Sequence, residues 1–288
     1  MPPQNPQNPQ NPQNPQSPQN LQNPQNPQNP QATQVVRITA DNPSAMTLDG
    51  TNTYLLTSAD DRSALLIDPG PKLPAHRQNI LDAIGDRRLN AIVFTHRHAD
   101  HTELFHTVSE WAPDAACHAV LPEFCRGAEP LVDGQQLVFG PAPQDVATVL
   151  ATPGHTSDSV SLLFGTTLFT GDTVLGEGTT MIAHPEGSLG DFMRSLERMR
   201  SLIEEGRVQR IEPAHGPARE DVAALVDYYI AHRQQRIDQV RGLLTSGFRS
   251  DEEICDEVYA DVPDSVRPAA LQIVRAQLAY IGELDRAD

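Results

Sequence analysis

Cysteine is scarce in this 288-residue sequence. Cys117, Cys125 and Cys255 are odd in number and form no CxxC pair, which argues against a disulfide framework and for a reducing, cytoplasmic setting. No run of about 18 apolar residues occurs, so no membrane-spanning helix is expected. The N-terminus has neither a basic start nor an apolar stretch, so a standard secretory signal is not expected. Basic residues are in deficit: 21 Lys and Arg stand against 38 Asp and Glu, a formal net charge of −17. Such acidity disfavours a grip on nucleic acid or anionic membrane through bulk charge.

The chain opens instead on a three-residue repeat, Gln-Asn-Pro, over residues 4–31, broken only at Ser17 and Leu21. Ten of its 25 prolines fall in the first 30 residues, and no charge appears before Arg37. Proline at every third position fixes φ and removes amide donors, and little apolar surface is there to offset the entropy of ordering. A disordered tail over 1–34 is the expectation.

Beyond it, short β-branched or apolar runs at 35–38, 53–56, 64–67, 91–94, 146–150, 160–164 and 167–169 predict strands. Amphipathic stretches at 74–84, 102–111 and 189–204 predict helices between and after them. Interleaved strands and helices predict an α/β layered domain over 35–219. From 220 to 288 the pattern is helical, over 220–244, 251–259 and 265–281, with a break at Asp261-Val262-Pro263. From Arg249 onward this unit carries four basic against ten acidic residues.

Chemistry concentrates in His96-Arg97-His98-Ala99-Asp100-His101, which directly follows the strand predicted at 91–94. Three imidazoles and a carboxylate on one strand-to-helix loop are ligands suited to zinc, and iron or manganese fit the same cage. His96 and His98 can point one way while Asp100 and His101 turn to a neighbouring position, which feeds two adjacent metals. Three further candidates lie just past later strand-like runs, each beside a glycine: His155, Asp172 and His215.

With these residues in place, the sequence resembles the metallo-β-lactamase superfamily over roughly 35–219. Within it the chain is similar to the β-lactamase-like protein 2 group and its bacterial relatives. The resemblance is carried by 46–54 (MTLDGTNTY), 68–71 (DPGP), 178–180 (GTT) and 184–191 (HPEGSLGD). It implies an αββα sandwich with two metals at one edge. It also implies His96, His98 and His155 on the first metal, Asp100, His101 and His215 on the second, and Asp172 bridging both. The C-terminal unit is similar to the helical part of a winged helix without room for a full β wing. Class B β-lactamases typically lack the Asp172-like bridge, which leaves β-lactam hydrolysis the weaker reading.

Two metals roughly 3.5–4 Å apart can share a hydroxide whose parent water has a pKa lowered towards ~7. Hydrolysis is therefore the expected reaction, with Asp100 or Asp172 as proton acceptor. A small ester or thioester is the favoured substrate. Single-stranded RNA is the second reading, disfavoured by charge unless Arg97, Arg126, Arg194, Arg198 or Arg200 forms a local basic rim. Asp68 reads equally as an acceptor steering a ligand histidine or as a turn residue. Asn52 and Thr53 read equally as floor of the site or strand start. Thr179, Thr180 and His184 sit on the loop after Asp172, where packing is the plainer use. His232 and Arg233 read as facing substrate or, the plainer use, as making a structural hydrogen bond, and His76, His106 and His118 as filling ordinary helix or surface roles.

Overall fold

Alternation with period two along the apolar runs lets one strand serve two cores, and both sheets use it. The structure, a computed structural model, describes residues 34–287. Its first sheet runs β1 (Gln34–Thr39), β2 (Asn52–Thr57), β3 (Ser63–Ile67), β4 (Arg88–Val93) and β5 (Ala116–His118) in that spatial order. The β1–β2 and β2–β3 pairs are antiparallel, and the other two are parallel. The second sheet holds β6 (Gln136–Val138), β7 (Val146–Ala151), β8 (Val160–Phe164), β9 (Thr167–Phe169) and β10 (Arg210–Glu212), antiparallel except for the parallel β9–β10 edge.

Tyr54, Leu56, Leu65, Ile67 and Val93 join Ala147, Val149, Leu162 and Phe169 in the core between the sheets. Their neighbours Leu55, Leu66 and Ile92 point the other way, onto α1 (Pro74–Ile84) through Ile80 and Ile84 and onto the segment holding α2 (Ala99–Thr102) and α3 (Val108–Trp111). On the far side, Leu163 and Leu168 pack against α4 (Leu189–Glu204), α5 (Val222–Thr245), α6 (Asp251–Val258) and α7 (Arg267–Ala287). The result is the αββα sandwich expected from the resemblance, with a C-terminal helical region. No strand follows β10 among the described residues.

Two local readings change. The helix predicted over 102–111 is broken into α2, a 3-10 turn over Glu103–Thr107, and α3. Threonine hydroxyls compete for its carbonyls: Thr102 donates to the His98 oxygen at 3.0 Å and Thr107 to the Leu104 oxygen at 3.2 Å. Strands β5, β6 and β10, three residues each, lie outside the predicted runs, and sheet pairing decides them. The repeat tail lies outside the described residues apart from Gln34, which opens β1. No helix among the described residues is long and apolar enough to cross a membrane.

The C-terminal ends of β3, β4, β7, β9 and β10 open onto the candidate site. There the sheets are stitched together: Val160 N donates to the Thr95 oxygen at 2.9 Å and Asn52 N to the Ala214 oxygen at 2.7 Å. Gly154 follows β7 at φ +142°, and a Cβ there would lie 2.4 Å from the Phe192 Cα in α4. Gly165 has φ +57° but faces open space. Gly165→Ala should therefore lose only the left-handed backbone penalty, about 1–2 kcal/mol. Gly154→Ala should lose a further ~1–3 kcal/mol through overpacking. Urea unfolding of the two variants checks this, and equal losses would show that α4 moves aside freely.

Candidate metal centre

The loop after β4 is shaped from below by Asp68, the residue that follows β3. Its carboxylate accepts from Thr95 N at 2.7 Å, from the Thr95 hydroxyl at 2.7 Å and from His101 Nδ1 at 2.8 Å. Asp68 is 1% exposed and has φ +47°. This resolves its two sequence readings in favour of the steering role, inside a turn.

The structure brings all seven sequence-selected donors together in two groups. His96, His98, His155 and Asp172 form one, and Asp100, His101 and His215 the other, with the donor atoms of each group within 4.8 Å of one another. In the first, His98 Nδ1 lies 3.0 Å from both His96 Nε2 and His155 Nε2. In the second, Asp100 Oδ2 lies 3.4 Å from both His101 Nε2 and His215 Nε2. Asp172 spans the two. Its Oδ2 is 3.9 Å from His96 Nε2 and 3.6 Å from His155 Nε2, while Oδ1 is 3.6 Å from His101 Nε2 and 3.2 Å from His215 Nε2.

Hydrogen bonds behind the rings fix which nitrogen carries a lone pair. His155 Nδ1 donates to the Met181 carbonyl at 2.9 Å, and His215 Nδ1 faces the Gly50 carbonyl at 3.4 Å. The Thr95 hydroxyl spends its proton on Asp68, so its oxygen accepts from His96 Nδ1 at 3.1 Å. His101 Nδ1 donates to Asp68. All four rings thus turn an unprotonated Nε2 toward the centre when neutral. His101 Nε2 and Asp172 Oδ1 are buried without a hydrogen-bond partner. Buried polar atoms are rarely left so, and converging lone pairs beside two carboxylates suit divalent cations.

The electrostatics point the same way. Burial opposes charge on His101, yet Asp68, Asp100 and Asp172 overcome it and raise its pKa to about 9. Burial likewise opposes charge on His215, and Asp100 and Asp172 raise it to about 10. His96 and His155 are pushed down, first by burial. Burial would also neutralise Asp100 and Asp172, but His101 and His215 hold both well below the usual carboxylate range.

Several further residues support the donors. Thr51 donates to Asp100 Oδ2 at 2.9 Å. Asn52 holds the His215 turn by donating to the Pro213 and Gly216 carbonyls, both at 3.0 Å. Thr53 bonds the Asp68 carbonyl and His76, which is buried rather than superficial. Thr180 donates to the Asp172 carbonyl at 2.6 Å, and buried Arg233 donates to the Thr180 carbonyl, the structural use expected of it.

With His101 raised to about 9 and His215 to about 10, each holds a proton at pH 7 that a cation bound at these nitrogens would displace. Zinc binding to metal-free protein at pH 7 should release protons, and affinity should climb as pH rises towards 9–10. The same two groups stabilise the metal-free fold below pH ~6.5, and that contribution is lost as pH rises through 9 to 10. Calorimetry in buffers of different ionisation enthalpy measures the release. Binding heat independent of buffer would contradict it.

A family model for the metallo-β-lactamase superfamily matches residues 46–205. The chain is similar to the β-lactamase-like protein 2 homologue of Drosophila melanogaster, 33% identical over 272 residues covering 86% of this chain and 87% of the relative. It is also similar to a lactamase-like protein of Aspergillus fumigatus, 34% identical over 259 residues covering 82% of this chain and 74% of the relative. Among solved structures, a metallo-β-lactamase family protein from Thermus thermophilus shares the fold at a TM-score of 0.70 and 21% identity, covering 87% of this chain and 94% of that one. By sequence and by fold, the chain belongs to the metallo-β-lactamase superfamily.

Proposed function

We propose that this chain is a hydrolase that holds two divalent cations, zinc in the first instance, and acts on a small ester or thioester. The carrying observation is the division of the Asp172 carboxylate, one oxygen toward each group of donors. In this reading His96, His98, His155 and Asp172 hold one cation, and Asp100, His101, His215 and Asp172 the other; iron and manganese fit the same donors. Cations so placed supply Lewis acidity and lower the pKa of water at the site towards ~7.

The protein's part is orientation, exclusion of water and proton handling. Asp68, Thr95 and the Met181 and Gly50 carbonyls keep four Nε2 lone pairs inward. The rear wall, including Asp68 and His101, is closed to solvent. The His98 and Asp100 side chains, 33% and 28% exposed, mark the side from which substrate enters. Asp100 is more open than Asp172, at 14%, so it is the carboxylate placed to pass a proton to water.

The arginines that could have formed a basic rim are engaged elsewhere, which supports a small acyl substrate over RNA. Arg97 is bound by Asp158, Arg194 by Asp191, Arg198 by Asp133 and Arg200 by Glu197. Arg126 donates to the Ala112 and Ala115 carbonyls. Phosphate contacts would have to displace these partners in a chain already acidic.

Zinc-loaded protein should hydrolyse members of a panel of acyl thioesters and leave labelled single-stranded RNA intact, with His96→Ala inactive on both. RNA cleavage abolished by His96→Ala would replace the acyl reading with the nuclease one. Asp172→Ala should bring bound zinc below the wild-type two per chain and cut turnover by at least ~100-fold. Elemental analysis with steady-state kinetics checks this, and normal metal content with a normal rate would sink the shared-carboxylate reading.

A further inference from the structure

Four of the five histidines at the centre obey one rule. Each turns Nε2 inward and gives its Nδ1 proton to a fixed acceptor of the protein. His98 breaks it, presenting Nδ1 to His96 and His155 and sending Nε2 outward. For Nδ1 to keep its lone pair, the ring proton must stay on Nε2, which therefore needs an acceptor of its own. The carboxylate within ion-pair reach of that atom is Glu186, with Oε1 3.5 Å away.

Glu186 is guided there by its surroundings. Its Oε1 lies 3.7 Å from Arg97 Nε, and that guanidinium is tied to Asp158 at 2.7 Å and to the Ser157 hydroxyl. The turn that carries it is fixed on both sides: Gly187 N donates to the Ala183 oxygen at 2.7 Å, and Ser188 N to the Gly154 oxygen at 2.9 Å. A Cβ on Gly187 would meet the His155 carbonyl at 3.0 Å, so the turn is seated against the neighbouring donor. The same loop supplies the Met181 carbonyl that orients His155.

We propose that Glu186 is the positioning residue for His98, its carboxylate accepting from Nε2–H so that the proton stays there and Nδ1 faces the first donor group as a lone pair. This rests on the two-cation reading above. It adds a residue from the 181–188 loop to the support of that group alone, because the groups that orient Asp100, His101 and His215 (the Thr51 hydroxyl, the Asp68 carboxylate and the Gly50 carbonyl) come from other segments.

The test is a zinc titration of metal-free protein against a chromophoric chelator, for wild type, Glu186→Gln and Glu186→Ala, with the His98 tautomer read from ring-nitrogen NMR. Glu186→Ala should weaken one of the two zinc equivalents by ~10–100-fold and mix the His98 tautomers, leaving the other equivalent unchanged. Glu186→Gln, whose amide oxygen still accepts, should bind within a few-fold of wild type. Glu186 is half-exposed at 44%, so the melting temperature of the metal-free variants should not move. An unchanged affinity and tautomer in Glu186→Ala would overturn the proposal, as would equal loss of both equivalents or a Gln variant as weak as the Ala one. Wild-type protein binding fewer than two zinc ions would overturn the two-cation reading itself, and this inference with it.

Discussion

The Asp68 carboxylate is almost wholly removed from water, and three donors keep it there. Thr95 N, the Thr95 hydroxyl and His101 Nδ1 all converge on it, from the loop that carries four of the seven metal-type donors. Hydrogen bonds to a charged group are worth about 1.5–3 kcal/mol each, and deleting the acceptor would strand three buried donors together. The arrangement also explains the backbone. Asp68 occupies a left-handed conformation that aspartate tolerates better than most residues, and this turns its side chain back under the next strand's loop. The consequence spreads through Thr95: because its proton goes to Asp68, its oxygen must accept from His96. One carboxylate thereby fixes the lone pairs of two imidazoles, one in each donor group.

The two groups nonetheless rest on different foundations. Asp100, His101 and His215 are backed by Thr51, Asp68 and Gly50, which lie at the ends of β2 and β3 beside the core between the sheets. His155 is backed by a loop carbonyl, and its loop is held by the helices of the second outer layer through Arg233 and through Gln272, whose carbonyl accepts from His184 N at 3.1 Å. Asp172 joins the two supports. Its side chain faces both groups while its carbonyl accepts from Thr180 on the helix-anchored loop.

Much of this is readable in the sequence because polar residues at the ends of apolar runs stand out. His96 through His101, His155 and Asp172 each follow a run that predicts a strand, His215 stands out beside its glycine, and the strand ends then meet at one edge. Three of the short strands are not readable: β5, β6 and β10 exist by pairing with β4, β7 and β9, whereas β9, equally short, carries an apolar run of its own. Neither are the supporting hydroxyls. Thr51 and Thr95 look like ordinary strand-edge threonines until their partners, 49 and 27 positions away, are placed beside them. Asp68 is ambiguous for a physical reason: an Asp-Pro-Gly segment makes a turn whether or not its carboxylate has further work. The helix expected at 102–111 breaks because amphipathic spacing says nothing about hydroxyls that capture the helix's own carbonyls.

The contact between the 180–188 loop and the C-terminal helices also sets an order of events during synthesis. The residues that furnish both donor groups leave the ribosome before α5 and α7 do. Until α5 and α7 dock, the Thr180 carbonyl lacks Arg233 and His184 N lacks the Gln272 carbonyl, so the loop that orients His155 keeps its bonds to Asp172 and Gly154 without these two. The support behind His155 is thus complete only once α5 and α7 have been made, and a nascent polypeptide that lacks them carries the same donors with less to brace them.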